Sequence, residues 1–499
     1  MNTRPLMLSL AVAATLAAGC TQKAAAPQSD ANKLRTLGSL QFKPCSLPSP
    51  FPQGDPLEAQ CTTFAVPEDR SKQGGRTVAL NIAWIPPRNT SDPAADPVFF
   101  LAGGPGQAAV ATFPGLAPGF KDIMKDRGIV LVDQRGTGKS NPLNCKSDGS
   151  EFTDDPAKGR EWIEACIAQL SAKADLRRYT STDAVADLEA VRKAIGADKI
   201  NLIGVSYGTR MAQQYALRHP QHVRTVTLDS PVPNTLGLGN IFARNLDSAL
   251  EAQFALCKES PACKARMGDP RAELQAVLAR LRANPVQVSY RDGSTGEELT
   301  ETMTADHVAG LVRMYAYMPA VGALLPQLIR EASQGRYANL MALAKMMQGD
   351  MAESMSMGMQ MSVICTEDAG SMVVRAEDAD TVLGNRMVEG LGAMCEAWPK
   401  GDKPADFNTP LKGDLPVLVL TGEFDPVTPP KYGEEIAKGL ANARWLDLKG
   451  QGHNVIGVGC MPKLFAQFIE KADAKALDAK CLDKLAYVPP FTSYNGWEP

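Results

Sequence analysis

Apolar positions along the chain follow two periods. From Thr77 to Ile85, after the Gly74-Gly75 turn, they alternate at Val78, Leu80, Ile82 and Trp84, which predicts a strand of a hairpin. Short, largely apolar runs follow at Val98–Leu101, Ile129–Val132, 202–205 after Ile200, 223–228, 417–420 and 445–448, most of them bounded by Gly, Pro or Asp. Runs this short suit strands buried on both faces, as in parallel sheets. Between them the period lengthens. Thr182 caps a predicted helix with Val185, Leu188, Val191 and Ile195 on one face and Gly196 at its end. Strand and helix alternate, so the predicted class is α/β, with a doubly wound, mostly parallel sheet.

The alternation stops between 233 and 400, where helical periodicity prevails and the strongest stretches are 240–257, 271–283 and 305–332. That segment reads as a mainly helical cap inserted over the C-terminal ends of the strands, dividing the core into 43–232 and 401–499. A last surface helix is predicted at 471–484. Composition agrees with a globular enzyme-sized chain: 499 residues, 44% hydrophobic and 21% charged, with a net charge of −3. Such a balance argues against a disordered chain and against a basic nucleic-acid binder.

The first twenty residues carry Arg4, an apolar stretch and then Leu16-Ala17-Ala18-Gly19-Cys20, which resembles a bacterial lipoprotein lipobox. The expectation is a signal peptide over 1–20, a lipid on Cys20, a flexible tether over 21–42 and a location in the cell envelope. Thr21 after Cys20, rather than Asp, favours the outer membrane. The lipid is then the only membrane attachment. With Cys20 set aside, the 11 cysteines leave an even ten. Taken as chain neighbours in an exported protein, they pair as Cys45 with Cys61, Cys145 with Cys166, Cys257 with Cys263, Cys365 with Cys395, and Cys460 with Cys481. No CxxC motif occurs and only four histidines are present, so no metal site is expected. Eight methionines between Met341 and Met361 read as an adaptable apolar surface under the cap rather than a copper site.

Chemistry concentrates in a few places. Gly204-Val205-Ser206-Tyr207-Gly208 stands between a predicted strand and a predicted helix, the setting of a nucleophile elbow. A serine hydroxyl needs a base. Of the four histidines, His219 and His222 sit in a loop closing the helix after Ser206, and His307 lies inside the cap. His453, in a glycine-flanked loop after the last strand, is the candidate base. The acid that orients it is expected between them in chain order, and Asp425 after the 417–420 strand fits, with Asp229 and Glu423 as rivals. Oxyanion donors are expected from the Tyr207 amide and from Ala102-Gly103-Gly104-Pro105-Gly106, with Gly104 preferred to Gly103. The segment Asp133-Gln134-Arg135-Gly136-Thr137-Gly138-Lys139-Ser140 lacks phosphate-loop spacing.

These motifs together, with Asp425-Pro426-Val427-Thr428-Pro429 and Gly452-His453, resemble the α/β-hydrolase aminopeptidases related to proline iminopeptidase, especially the secreted tripeptidyl-aminopeptidase-like branch. The likeness runs from about residue 43 to 481. Ala102 stands where proline iminopeptidases carry His, which favours the tripeptidyl branch. The resemblance implies a serine exopeptidase acting on peptides with free N-termini through an acyl-enzyme, with no cofactor. Cys365-Thr366-Glu367 resembles the branch's Cys-x-Asp element, so Glu367, with Asp368 in reserve, is the expected anchor for the substrate ammonium. An esterase or amidase with the same triad is the alternative; a non-catalytic binding lipoprotein would be expected to have lost a triad member.

Overall fold

The computed structural model describes residues 34–51, 54–91, 93–145 and 156–497. The leader, Cys20 and residues 21–33 of the expected tether lie outside them. The strands are β1 (Arg35–Leu37), β2 (Leu40–Leu47), β3 (Leu57–Pro67), β4 (Thr77–Ile85), β5 (Val98–Leu101), β6 (Ile129–Val132), β7 (Ile200–Val205), β8 (Val223–Asp229), β9 (Val286–Arg291), β10 (Glu298–Met303), β11 (Val417–Gly422) and β12 (Ala443–Leu448). Ten form one sheet in the order β1-β2-β3-β4-β6-β5-β7-β8-β11-β12. From β6 to β12 neighbours run parallel, while β1 to β4 form an antiparallel meander joined to β6.

The central strands are buried on both faces. Phe99 of β5 packs with Val130, Leu202 and Val226 on one side, beneath the helices Ser181–Ala194 and Tyr207–Arg218. Its neighbour Phe100 faces the other way, where Phe113, Phe120 and Phe465 meet edge to face. Successive side chains of a strand point to opposite faces, so an unbroken apolar run serves two cores at once. Register aligns the strand ends: Val205 of β7 and Leu420 of β11 both lie opposite Asp229 of β8, and Gly422 lies opposite Leu448 of β12.

Several expectations need correction. The tether does not reach 42, because Leu40 and Phe42 are buried strand residues in β2. β2 and β3 carry polar side chains and Pro44 among their apolar positions, which hid them from a search for apolar runs. The stretch 305–332 is three helices, Ala305–Ala316, Pro319–Gly322 and Leu325–Ser333, with Pro319 and Pro326 in the first turn of the second and third. The cap also holds the hairpin β9–β10, whose Val288 and Tyr290 face the cap's own apolar core. The last long helix is Met461–Lys471, ended by the left-handed Ala472; the segment 471–484 is turns and a 3-10 turn over Lys480–Lys484. Asp473 accepts from the Lys475 and Ala476 amides there and holds a turn instead of a helix. Disulfides join Cys45 to Cys61, Cys145 to Cys166, Cys257 to Cys263, Cys365 to Cys395, and Cys460 to Cys481. No helix among the described residues is long and apolar enough to cross a membrane.

The Asp133–Ser140 segment is structural. Asp133 accepts from the Asn81 side chain and from the Val110 and Lys139 amides. Arg135 is wholly buried, its Nε and Nη2 on the two oxygens of Asp187 at 2.6 and 2.7 Å and its Nη1 on the Glu68 and Arg178 carbonyls. Removing one member of such a pair strands the other charge. Arg135→Ala is expected to cost about 3–5 kcal/mol, measured as a lower urea midpoint; a loss under about 1 kcal/mol would show that Arg70, 2.5 Å from Asp187, suffices.

Candidate active site

β7 ends at Val205 and the helix Tyr207–Arg218 begins two residues later, leaving Ser206 on the corner at φ 54°, ψ −123°. A non-glycine residue in that region is strained and persists only where its surroundings impose it. Here the Ser206 amide donates to the Asp229 carbonyl at 3.0 Å and its carbonyl accepts from the Thr209 amide at 2.9 Å. Glycine is required on both sides: a side chain on Gly204 would strike the Gly208 carbonyl, and one on Gly208 the Leu101 carbonyl. Ser206 is half-buried between the buried Val205 and Tyr207. Among the described residues its hydroxyl makes no hydrogen bond; such bonds often tighten only once substrate binds.

Asp425 lies in the turn after β11 with a fully buried side chain. Its Oδ1 accepts from the Val427 and Thr428 amides, each at 2.8 Å, and its Oδ2 from the Thr428 hydroxyl at 2.8 Å. That same Oδ2 stands 2.7 Å from His453 Nδ1. Burial pushes the Asp425 pKa up, but the imidazole and the amides outweigh it and hold it below the usual carboxylate value. Burial likewise pulls His453 down, and the Asp425 carboxylate outweighs that, leaving it raised above 6.5. The His453 amide donates to the Tyr317 carbonyl of the cap at 2.9 Å, and the Tyr317 ring stands edge-on to the imidazole at 5.1 Å. Gly452 has no room for a side chain, which would strike that same carbonyl.

Asp229 does not touch His453 directly. Its carboxylate accepts from the Val455 amide at 2.9 and 3.0 Å and the Ile456 amide at 2.9 Å, and the Ser230 hydroxyl accepts from the Asn454 amide at 2.8 Å. Three consecutive amides of the histidine loop are thus held by the dipeptide whose first carbonyl holds Ser206. Burial pushes the Asp229 pKa up to about 6 against these hydrogen bonds. Glu423, the other rival acid, accepts from the Gly450 amide and the Tyr487 hydroxyl. The remaining histidines make local contacts: His219 packs on Tyr215, His222 bonds the Asp198 carbonyl, and His307 caps its helix with Thr304.

The glycine loop after β5 flanks the serine. A side chain on Gly103 would lie 3.2 Å from Ser206 Cβ, and Gly104 follows at φ 106°. Tyr207 occupies the first helical position, where an amide has no acceptor within the helix. The cap closes on this loop: Ser356 N donates to the Gly106 carbonyl at 2.9 Å, and the Met355 methyl lies beside Gly104. Met341, Met359 and Met361 are instead buried core residues.

The expected ammonium anchors do not open onto this space. Glu367 is buried and accepts from the Ser181 amide at 2.6 Å and the Ser181 hydroxyl at 2.8 Å, while Asp368 pairs with the buried Arg210 at 2.9 Å. Burial pushes Glu367 up to about 7. Ser181 also bonds the Tyr207 hydroxyl at 2.6 Å, so the cluster supports the helix behind the serine. Tyr317 and the clamp at Asp229-Ser230 carry no local sequence signal, because both act through contacts between segments far apart in the chain.

A serine on a strained elbow, at the same sheet edge as an imidazole bonded to a buried carboxylate, is the arrangement of serine hydrolases on a doubly wound sheet. The family description "alpha/beta hydrolase fold" matches residues 96–459, and the chain belongs to that family. Among curated relatives it is similar to a tripeptidyl aminopeptidase of Streptomyces coelicolor, 25% identical over 85% of this chain and 83% of the relative. It is also similar to a serine protease of Mycobacterium tuberculosis, 24% identical over 89% of this chain and 91% of that one. A proline iminopeptidase of Neisseria gonorrhoeae is 30% identical over 28% of this chain and 34% of its own.

Asp229→Asn keeps the shape but turns half of the acceptor into a donor facing the Val455 and Ile456 amides. Turnover is expected to fall about 10- to 100-fold, from the roughly 1–3 kcal/mol of leaving buried donors unpaired, with an unchanged far-ultraviolet spectrum. Wild-type turnover in a folded Asp229→Asn enzyme would show that the loop holds without it.

Proposed function

We propose that the protein is a serine exopeptidase that cleaves residues or short peptides from free peptide N-termini through an acyl-enzyme. The single observation that carries the reading is the 2.7 Å pairing of His453 with buried Asp425 at the sheet edge that presents Ser206. The names of the two relatives that align over most of their length support peptide as the substrate class.

In this reading Asp425 holds Nδ1 of His453, so Nε2 takes the proton from Ser206 as it attacks the scissile carbonyl. The developing oxyanion is met by the Tyr207 and Gly104 amides. His453 then returns the proton to the leaving amine, and a water repeats the cycle to release the acyl group. The ammonium anchor is not assigned to Glu367 or Asp368, whose oxygens already serve internal donors. Cys20 is proposed to carry the lipid that holds the enzyme at the cell envelope.

The test is a series of nitroanilides bearing one, two or three residues, each with a free or acetylated N-terminus. Free tri- or single-residue substrates are expected to be cleaved, with Ser206→Ala reducing turnover by at least about 10³-fold in a folded protein. Preference for acetylated substrates or short acyl esters would move the reading to an esterase or amidase.

The pH profile follows from His453. Only the neutral imidazole accepts a proton, and a raised pKa keeps it charged to higher pH, so activity is lost as pH falls through that value. The acid limb of kcat/KM is expected to have its midpoint above 6.5. Asp425→Asn removes the cause of the rise, so it should move the limb to lower pH while cutting kcat by about 10³–10⁴-fold. A limb that stays in place would show that Asp425 does not govern the base.

A further inference from the structure

Arg313 sits half-buried on the cap helix Ala305–Ala316, one turn before Tyr317. Its guanidinium carbon lies 5.3 Å from the Phe242 ring centroid and 5.9 Å from that of Tyr317, the ring that stands against His453. Among the described residues its one hydrogen bond is a long 3.4 Å contact with the Tyr317 hydroxyl, and no carboxylate comes within ion-pair distance. Other buried guanidiniums nearer the sheet are engaged by carboxylates: Arg135 with Asp187 and Arg192 with Glu189. Arg313 is held by aromatic faces, which fix its plane while leaving its in-plane donors free for an acceptor. Its Nε and Nη1, which make no hydrogen bond, are not buried, so they reach solvent.

We propose that Arg313 binds a carboxylate on the leaving-group side of the scissile bond, which makes short peptides with a free C-terminus the preferred substrates. This rests on the exopeptidase reading above. The direction comes from the geometry. The Gly103–Gly106 loop flanks Ser206 on the oxyanion side, so the fragment that receives its proton from His453 departs past Tyr317 and meets Arg313. The ring spacings of 5.9 and 5.1 Å limit the reach to about three extended residues beyond His453. A planar guanidinium pairs with a carboxylate through two parallel hydrogen bonds, which an amide cannot reproduce. The same positive charge works against protonation of His453, in keeping with its nearness to the base.

The experiment takes the best N-terminal segment from the nitroanilide series, extends it by one, two or three glycines, and ends each peptide in a carboxylate or an amide. The ratio of kcat/KM for acid over amide is measured by chromatography for the wild type, Arg313→Gln and Arg313→Lys. The wild-type ratio is expected to reach at least about tenfold at one or more lengths and to shrink in 0.5 M salt. It should collapse toward one in Arg313→Gln and survive in part in Arg313→Lys. A wild-type ratio near one at every length overturns the proposal, whether or not the variants fold, as does an Arg313→Gln enzyme that keeps the wild-type ratio. If the wild type cleaves none of these peptides from the N-terminus, the exopeptidase reading itself fails, and this inference with it.

Discussion

The corner at the end of β8 joins the two halves of the site. The Asp229 carbonyl fixes the amide of the strained Ser206, its carboxylate holds the Val455 and Ile456 amides, and Ser230 holds that of Asn454. The proposed nucleophile and base come from segments about 250 residues apart, and such a pair must be kept in place to within fractions of an ångström. Backbone hydrogen bonds to a buried carboxylate achieve this without depending on flexible side chains. They also keep an acid close to His453 that is not the one orienting it. Two carboxylates near one imidazole have separate tasks because one faces Nδ1 and the other faces amides.

The cap completes the arrangement from above. It touches the histidine loop through the Tyr317 carbonyl and the glycine loop through Ser356, so both sides of Ser206 are bordered by cap residues. The cap has an apolar core of its own, from Leu246 to Val382. Such a unit can change what reaches the serine while the sheet below retains the chemistry, since loops and insertions carry specificity on a rigid scaffold. The cap sets an apolar side chain, Met355, beside Gly104 and a cationic one, Arg313, beside Tyr317.

Much of the scaffold was legible along the chain. The apolar runs of β5, β6, β7, β8 and β11 stand out because parallel strands are covered on both faces, and glycines bracket Ser206 because the elbow leaves no room for side chains. The meander β2–β3 was hidden because its polar and apolar positions mix and Pro44 lies within a strand. The hairpin β9–β10 and the break at Pro319 were absorbed into a long helical pattern. Glu367 had the right chemistry for an ammonium anchor, but no local pattern announces that Ser181, 186 residues away, already occupies it.

By itself the sequence determined the class of sheet, the elbow and the residue types able to act as nucleophile, base and acid, because these depend on local periods and on steric limits within a few residues. Tertiary structure decided which acidic residue meets His453. Asp425, Asp229 and Glu423 all stand at the ends of strands on the same edge, and only packing assigns one to the imidazole, one to backbone amides and one to Gly450 and Tyr487. It also decided that Arg313 keeps donors free while Arg135 and Arg192 spend theirs. Partners for a charge come from the whole fold, and the physical reason is burial: a charge taken from water must be satisfied by whatever the chain brings beside it.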